Sequence, residues 1–137
     1  MADQDLDAAL AAVPFFSGLS KRQRGKLAEE SRVVSHETGR EIATEGQGAL
    51  ALHVILDGTA TVSIRGTEVR TLGAGDSFGE ISMLDGKPRS ATVTAETDLT
   101  TLAVPHVAFQ QLLQEEPGFA AGLLKLVCAR LREAEAR

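Results

Sequence analysis

A short segment near residue 80 combines a glycine, a carboxylate and an arginine at a spacing that suits recognition of a sugar phosphate. Gly79 and Glu80 open a predicted helical turn, and Arg89 follows that turn directly after Pro88. Glycine lets the backbone pass close to a ligand, and proline fixes the direction from which the arginine enters. A guanidinium binds phosphate oxygens through two parallel hydrogen bonds, and a carboxylate accepts hydrogen bonds from vicinal hydroxyls. These residues therefore predict a site for a phosphate beside a sugar.

The predicted turn covers Glu80 to Leu84 and ends at Asp85-Gly86. The first amide groups of a helix have no partner within the helix, so its N-terminus favours anions. A plainer interpretation is that Glu80 and Arg89 form a surface ion pair that flanks a loop. The residue types and their spacing leave both interpretations open.

Catalytic and metal-binding constellations are not indicated elsewhere in the chain. A jelly-roll metalloenzyme needs closely spaced histidines on adjoining strands, whereas His36, His53 and His106 are far apart in the sequence. His53 lies in an apolar segment and is predicted to be a hydrogen-bonded histidine of the core or its edge. Cys128 lies on a predicted helix without a basic cluster directed at it, and we interpret it as a small packing residue. We therefore expect no catalytic residue and no metal ligand.

Length and charge narrow the class of protein further. The 137 residues suit one domain spanning 1–137. With 14 Lys and Arg against 19 Asp and Glu, the net charge is −5, which argues against binding to nucleic acid. No apolar run approaches the roughly 18 residues of a membrane span, and the acidic N-terminus lacks the basic start of a signal peptide. Together with the single cysteine, these features predict a cytoplasmic protein with no membrane contact.

Composition divides the chain into three parts. All 11 threonines and nine of the 13 glycines lie between residues 38 and 101. Threonine favours strands, and glycines at short intervals mark tight turns. We therefore predict N-terminal helices over 1–30, strands over 31–104 and two C-terminal helices over 105–137. The predicted fold class is mainly β, an eight-stranded antiparallel jelly-roll β-barrel with flanking helices.

Capping residues and prolines set several of the element boundaries. Ser20 is a predicted N-cap for a helix that ends near Glu30. Pro105 and Pro117 each begin a C-terminal helix, the second of which runs toward Arg137. The other predicted elements are a helix over 6–13 and strands over 32–36, 40–44, 50–56, 59–65, 68–72, 90–96 and 99–104.

The sixteen residues Phe78 to Val93 resemble, without a gap, the phosphate-binding cassette of the cyclic nucleotide-binding domain family. That cassette reads Phe-Gly-Glu, two small or aliphatic residues, a short loop, then Pro-Arg, a small residue and Ala-Thr-Val. The resemblance extends to the lead-in at 14–20, to the glycine-containing segment 45–58 and to the helices after Val104. The chain is similar to a stand-alone bacterial-type domain related to the sensor domain of the catabolite activator protein and to the regulatory subunit of protein kinase A.

The resemblance implies a role for each residue of the cassette. Glu80 would bind the ribose 2′-hydroxyl and Arg89 the cyclic phosphate. The backbone of Gly79, Glu80 and Ser82, together with Ser90, would complete the phosphate cradle. The ligand-binding residues that it implies are Gly79, Glu80, Ile81, Ser82, Arg89, Ser90 and Ala91. The expected ligand is a cyclic nucleotide, and no cofactor is expected.

Between the two common cyclic nucleotides, the resemblance favours cAMP. Ser90 carries a hydroxyl where some members of the family have alanine. A hydroxyl at this position, most often from threonine, helps cGMP bind in some members, yet cAMP-binding bacterial members also carry serine. Therefore cGMP stays the alternative ligand.

Two features depart from the family pattern. His53 stands where the family usually has an aliphatic or aromatic residue. Family transcription factors continue through a long helix into a DNA-binding helix-turn-helix, and no such segment follows Arg137. Polar residues of that long helix contact the base in those proteins, whereas Ala134 and Ala136 have no polar side chain.

The function implied by the resemblance is that of a cyclic-nucleotide sensor without chemistry of its own. Its last helix has more apolar residues than one face can bury, so we expect it to move on ligand binding, or to pair with a second copy or an effector protein. One alternative is a regulatory fragment of a larger enzyme, channel or transcription factor, although the initial methionine favours a free-standing chain. Another alternative is an interaction domain without a ligand, which the presence of both Glu80 and Arg89 disfavours.

Overall fold

The computed structural model describes residues 3–48 and 51–136. The helices are α1 (Asp3–Ala11), α2 (Lys21–Glu30), α3 (Glu80–Asp85), α4 (His106–Glu115) and α5 (Pro117–Ala136). The strands are β1 (Arg32–His36), β2 (Glu41–Ala43), β3 (Ala51–Asp57), β4 (Ala60–Ile64), β5 (Thr67–Leu72), β6 (Ser77–Phe78), β7 (Thr92–Ala95) and β8 (Leu99–Pro105). The predicted start of the third strand at Leu50 and the predicted end of the last helix at Arg137 lie outside the described residues.

The strands form two antiparallel four-stranded sheets that pack face to face. One sheet has the order β1-β8-β3-β6 and the other β2-β7-β4-β5. Most successive strands alternate between the two sheets, which is the jelly-roll arrangement. The predicted fold class is therefore confirmed, with the backbone hydrogen bonds divided between two sheets. In the first sheet, His53 of β3 lies opposite both Ala103 of β8 and Phe78 of β6.

The sheet containing β3 has apolar side chains on both faces because successive residues of a strand point in opposite directions. Leu52 and Val54 face outward and pack with helix residues such as Phe109. Ile55 and Leu99 face the second sheet and form the core between the sheets. One face of this sheet thus packs against the helices, and the other face packs against the second sheet.

The start of α2 is fixed by a capping box. The Ser20 hydroxyl accepts a hydrogen bond from the Gln23 amide, and the Gln23 side chain accepts one from the Ser20 amide. This arrangement satisfies two amide groups that the helix itself leaves unpaired. It confirms the N-cap predicted at Ser20.

The first half of α5 is anchored in the apolar core beneath the helices. Phe119 and Leu123 are buried. The ring of Phe119 stacks on Phe16 at 5.5 Å and meets Phe15 and Phe109 edge-on. Aromatic pairs at these separations add to the free energy gained from burial alone.

The second half of α5 is held less firmly. Gly122 lies close to the backbone before α2, since a Cβ there would lie 2.9 Å from the Cα of Phe15. Beyond Leu123, the residues of α5 are half-buried or exposed through Ala136. Leu124 and Leu131 are 66% and 58% exposed, which confirms that the helix has more apolar surface than its packed face covers.

Three expectations from the sequence are wrong in detail. The predicted strands omitted β6, which has only two residues. Ser90 and Ala91 precede β7 instead of lying within it, because the backbone of Arg89 pairs with Gly46 and Gln47. Cys128 is exposed and does not pack in the core. It lies on the outer face of α5, four residues after Leu124 and three before Leu131.

None of the helices in the described ranges combines the length and the apolar content needed to cross a bilayer.

We expect replacement of Phe119 by alanine to lower the free energy of unfolding by about 3–5 kcal/mol, because the change opens a cavity among the three remaining aromatic rings. Leu124→Ala on the same helix should change it by less than about 0.5 kcal/mol, since that side chain is mostly in solvent. Chemical denaturation followed by circular dichroism measures both. Equal losses in the two variants would contradict the assignment of Phe119 as the anchor of α5.

Candidate functional site

The predicted cassette forms a compact turn between β6 and β7. Gly79 follows β6 with a φ of 97°, and α3 begins directly after it and ends at Gly86, which has a φ of 70°. The loop that follows is fixed by backbone hydrogen bonds, from the Arg89 amide to the Gln47 carbonyl at 2.7 Å and from the Gly46 amide to the Arg89 carbonyl at 2.9 Å. The segment between β2 and β3 thus holds Arg89 in place.

The side chain of Arg89 packs against the backbone of Gly79. A Cβ at residue 79 would collide with the guanidinium, and the positive φ is a second reason for glycine there. Arg89 Nη2 donates to the carbonyl of Ala51 at 3.0 Å, whereas its buried Nη1 has no hydrogen-bond partner. Burial lowers the pKa of the guanidinium, and the charge of Glu80 opposes that shift. The site therefore contains a fixed cation with one unpaired nitrogen.

Glu80 is the buried carboxylate of the site, only 5% exposed. Its Oε1 lies 3.9 Å from Arg130 Nε on α5, and its Oε2 has no hydrogen-bond partner. Burial raises the pKa of the carboxyl, and a hydrogen bond to its own backbone and the charges of Arg130, Arg70 and Arg89 pull the pKa down. Burial outweighs these opposing effects, so the ionised carboxylate is held at a cost to stability.

Helix α5 crosses the mouth of the site and contacts it through charged groups. Arg70 of β5 donates to Glu133 of α5 at 2.7 Å, and Arg130 faces Glu80. The Nε atoms of both Arg70 and Arg130 are buried without hydrogen-bond partners. The second half of α5 is therefore attached by two ion pairs, one to Arg70 of β5 and one to Glu80 of α3, and both of these residues line a cavity.

All seven residues that the sequence predicted for the site line this one cavity. They are Gly79, Glu80, Ile81, Ser82, Arg89, Ser90 and Ala91. Sequence reasoning missed Arg70 and Arg130, which also line the cavity. A signal for each existed, since Arg70 shares a strand face with buried Leu72 and Arg130 lies two helical turns after buried Leu123.

The cavity measures about 50 Å³, and its lining is rich in unpaired polar atoms. Within the described residues, four buried side-chain nitrogen or oxygen atoms lack a hydrogen-bond partner, and all four belong to residues that line this cavity. They are Arg70 Nε, Glu80 Oε2, Arg89 Nη1 and Arg130 Nε. Each such atom costs about 1–3 kcal/mol when it stays unpaired. The set suits a ligand that carries an anionic group and hydroxyl donors.

The histidines are not arranged around a metal. His36 and His53 both contact the hydroxyl of Thr101, which confirms the predicted hydrogen-bonded role of His53, whereas His106 is exposed at the start of α4. Among the described residues, His, Cys, Asp and Glu side chains do not gather in groups of three that could hold a metal ion.

The family model of the cyclic nucleotide-binding domain matches residues 33–116, more than half of the chain and all of the cassette. The chain belongs to the cyclic nucleotide-binding domain family. As a domain of this family it is a binding domain, and the matched range includes all seven predicted residues that line the cavity under α5.

The curated relatives to which the chain is similar include a regulatory subunit of a protein kinase and a protein kinase. The cAMP-dependent protein kinase regulatory subunit of Yarrowia lipolytica is 38% identical over 78% of this chain and 29% of its own length. The cGMP-dependent protein kinase of Eimeria tenella is 34% identical over 77% of this chain and 12% of its own length. The domain thus spans less than a third of either relative.

A solved structure described as cAMP-bound PfPKA-R has the same fold. Its TM-score is 0.89 at 24% identity, and the match covers 98% of this chain and 46% of that one. At this identity the likeness concerns the arrangement of strands and helices alone.

Because burial raises the pKa of Glu80, the folded state binds a proton more readily than the unfolded state does. Stability from this group is therefore full at low pH and is lost as the pH rises through the folded pKa. We expect Glu80→Gln to raise the melting temperature without ligand at neutral pH and the gain to shrink on acidification. Asp85→Asn, at an exposed acid of the same helix, is the control. A Glu80→Gln protein less stable than wild type at neutral pH would contradict this.

Proposed function

We propose that this domain binds a cyclic nucleotide, cAMP in preference to cGMP, with the phosphate on Arg89 and the ribose 2′-hydroxyl on Glu80. The observation that carries the proposal is the set of four unpaired buried polar atoms around one cavity. Arg89 Nη1 matches an anionic oxygen, and Glu80 Oε2 matches a hydroxyl donor. Gly79, Ile81, Ser82, Ser90 and Ala91 line the same cavity and would surround the phosphate and sugar.

The electrostatics support an anionic ligand. The whole protein carries a charge of −5, so its overall field repels a phosphate. The cavity instead contains three arginines, Arg70, Arg89 and Arg130, around the carboxylate of Glu80. A local excess of positive charge is needed to attract an anion to a protein of negative net charge.

The size of the cavity indicates that α5 moves when a nucleotide binds. Pockets for ligands of drug-like size measure about 300–1,000 Å³, whereas this cavity measures about 50 Å³. The ceiling of the cavity includes Arg130, which also borders a second cavity of about 550 Å³ between α5 and residues 13–18. Displacement of the second half of α5 would enlarge the first cavity and break the contact between Arg130 and Glu80.

This movement gives the domain an output. The outer face of α5 exposes Leu124, Cys128 and Leu131 at heptad spacing. We propose that a second copy of the chain or an effector protein contacts this stripe and responds to the position of the helix. The chain spans under a third of the length of its kinase-related relatives. The second candidate function is therefore that of the regulatory part of a larger protein controlled by a cyclic nucleotide.

In both cases we propose a cytoplasmic role without chemistry of the domain's own, with residues 1–137 as one binding unit that contacts neither nucleic acid nor a membrane. The composition supports this through its acidic balance and single cysteine.

We expect Arg89→Ala to weaken cAMP binding by about 2–5 kcal/mol, because the phosphate loses its charge-assisted partner. That is roughly 30-fold to several thousand-fold in affinity. Without ligand the variant should unfold near the wild-type temperature. The Arg89 side chain makes one hydrogen bond within the protein, and the cost of burying its charge offsets the stability gained from that bond. Glu80→Ala should weaken binding less. Calorimetric titration with cAMP and with cGMP measures these affinities and decides between the nucleotides.

Lys87→Ala is the matched control, because Lys87 is a cation of the same loop that is exposed and does not line the cavity. It should bind cAMP as wild type does. If Arg89→Ala retains affinity within about threefold of wild type, the phosphate lies elsewhere and the proposed site is wrong.

We expect hydrogen exchange to reveal the movement of α5. Amides from Val127 to Ala136 should change protection on addition of nucleotide, because that half of the helix follows the last core-packed residue, Leu126, and is attached through Arg130 and Glu133. Amides around Phe119 should change least. Equal protection of the second half with and without nucleotide, in a protein that stays monomeric, would contradict the proposed output.

A further inference from the structure

A row of four side chains crosses the inward face of the sheet β1-β8-β3-β6, with one residue from each strand. His36 of β1 places Nε2 3.0 Å from the hydroxyl of Thr101 on β8, and His53 of β3 places Nδ1 3.0 Å from the same hydroxyl. The ring of His53 stacks on Phe78 of β6, with centroids 5.0 Å apart and an interplanar angle of 9°. The row therefore connects one edge of the sheet to the other.

The bridging hydroxyl gives the row a defined direction. Thr101 is fully buried, and its hydroxyl has one proton to donate and lone pairs to accept. It can therefore donate to one imidazole while it accepts from the other. A protonated His53 would donate to Thr101, which would donate to the neutral Nε2 of His36. The row can thus satisfy His53 in its charged as well as its neutral form.

The row ends at the phosphate cradle. Phe78, on which His53 stacks, is the residue before Gly79. The carbonyl of Ala51, which holds Arg89, lies two residues before His53 on β3. His53 therefore lies opposite the first residue of the cassette and two residues from the carbonyl to which Arg89 donates.

Charged neighbours make His53 sensitive to an anion in the site. Burial lowers the pKa of His53 to about 4, and the charges of Arg89, from the loop after α3, and His36, from β1, add to that effect. Burial and Arg40 also lower the pKa of His36. A phosphate on Arg89 would offset the positive charge that disfavours the imidazolium. Its pKa should then rise when the ligand binds.

We propose that the row His36–Thr101–His53 positions the phosphate cradle and couples occupation of Arg89 by a cyclic nucleotide to protonation of His53. The coupling rests on the proposed function, whereas the interaction between Arg89 and His53 exists without ligand. Because such coupling is reciprocal, the ligand favours the proton and the proton favours the ligand. His53 is a positioning residue in this scheme, since it touches Phe78 and not the nucleotide.

The first test needs no ligand. Nuclear magnetic resonance titration of the histidine ring protons should give a higher pKa for His53 in Arg89→Ala than in wild type, because one positive charge has been removed. Lys87→Ala should leave the value unchanged. An unchanged value in Arg89→Ala would overturn the coupling, whether or not the protein binds cyclic nucleotides.

The second test counts protons on binding. Titration with cAMP at about pH 5, in buffers of different ionisation heat, gives the number of protons exchanged. Glu80 should release protons when sugar hydroxyls stabilise its ionised form, whereas His53 should take them up. We therefore expect cAMP binding to release more protons from the His53→Gln variant than from the wild-type protein. Equal proton counts in the two proteins would overturn the coupling while leaving the nucleotide site intact.

The positioning role has its own control on β8. Thr101→Val preserves the shape of the side chain and removes the bridge, and we expect it to weaken cAMP binding about two- to tenfold. It should also bring the proton count close to that of His53→Gln. Thr100→Val, the neighbour on the opposite face of the strand, should change neither quantity. Wild-type affinity and proton count in Thr101→Val would overturn the role of the row.

Discussion

Arg89 is held between the Cα of Gly79 and the carbonyl of Ala51, so its guanidinium is buried with one nitrogen unpaired. A buried cation without full compensation is costly, and the surrounding structure must be stable enough to retain it. The hydrogen bonds that the Arg89 backbone donates to Gln47 and accepts from Gly46, and the pairing of β3 with β6, supply that support. The proposed ligand supplies the missing partner.

Helix α5 divides its two tasks along its length. Its first half is packed on an aromatic cluster around Phe119, where burial dominates and displacement would be expensive. Its second half is attached by the pairs Arg70–Glu133 and Arg130–Glu80, which are half-buried and comparatively weak. A change in the site can therefore move the second half without unpacking the first.

His53 brings two properties to the sheet beside the site. Its ring stacks on Phe78, a packing role that an aromatic side chain without a titratable group could also fill. The imidazole adds a hydrogen bond to Thr101 and a titratable group beside Arg89. The jelly roll accommodates it because Thr101 and His36 lie on the same inward face and satisfy its ring nitrogen.

The cassette could be predicted from the sequence because it is contiguous. Its glycine, carboxylate and arginine all lie within Phe78 to Val93, so the short stretch of chain between them keeps them close. Arg70 and Arg130 were missed because 60 residues separate them in the chain. Only the packing of α5 across β5 makes them neighbours. The pattern of apolar residues on one face of either element does not identify the element that packs against that face.

By itself the sequence predicted the fold class and every element except β6, and the resemblance of one contiguous motif implied the seven cassette positions, since periodicity, turn residues and a contiguous motif are local properties. Tertiary structure alone decided that the helix after Pro117 crosses the cavity, that Cys128 faces outward and that His36 meets His53 through Thr101. These outcomes depend on how two sheets and a helix pack, and long-range packing energies are not encoded in the spacing of any one segment.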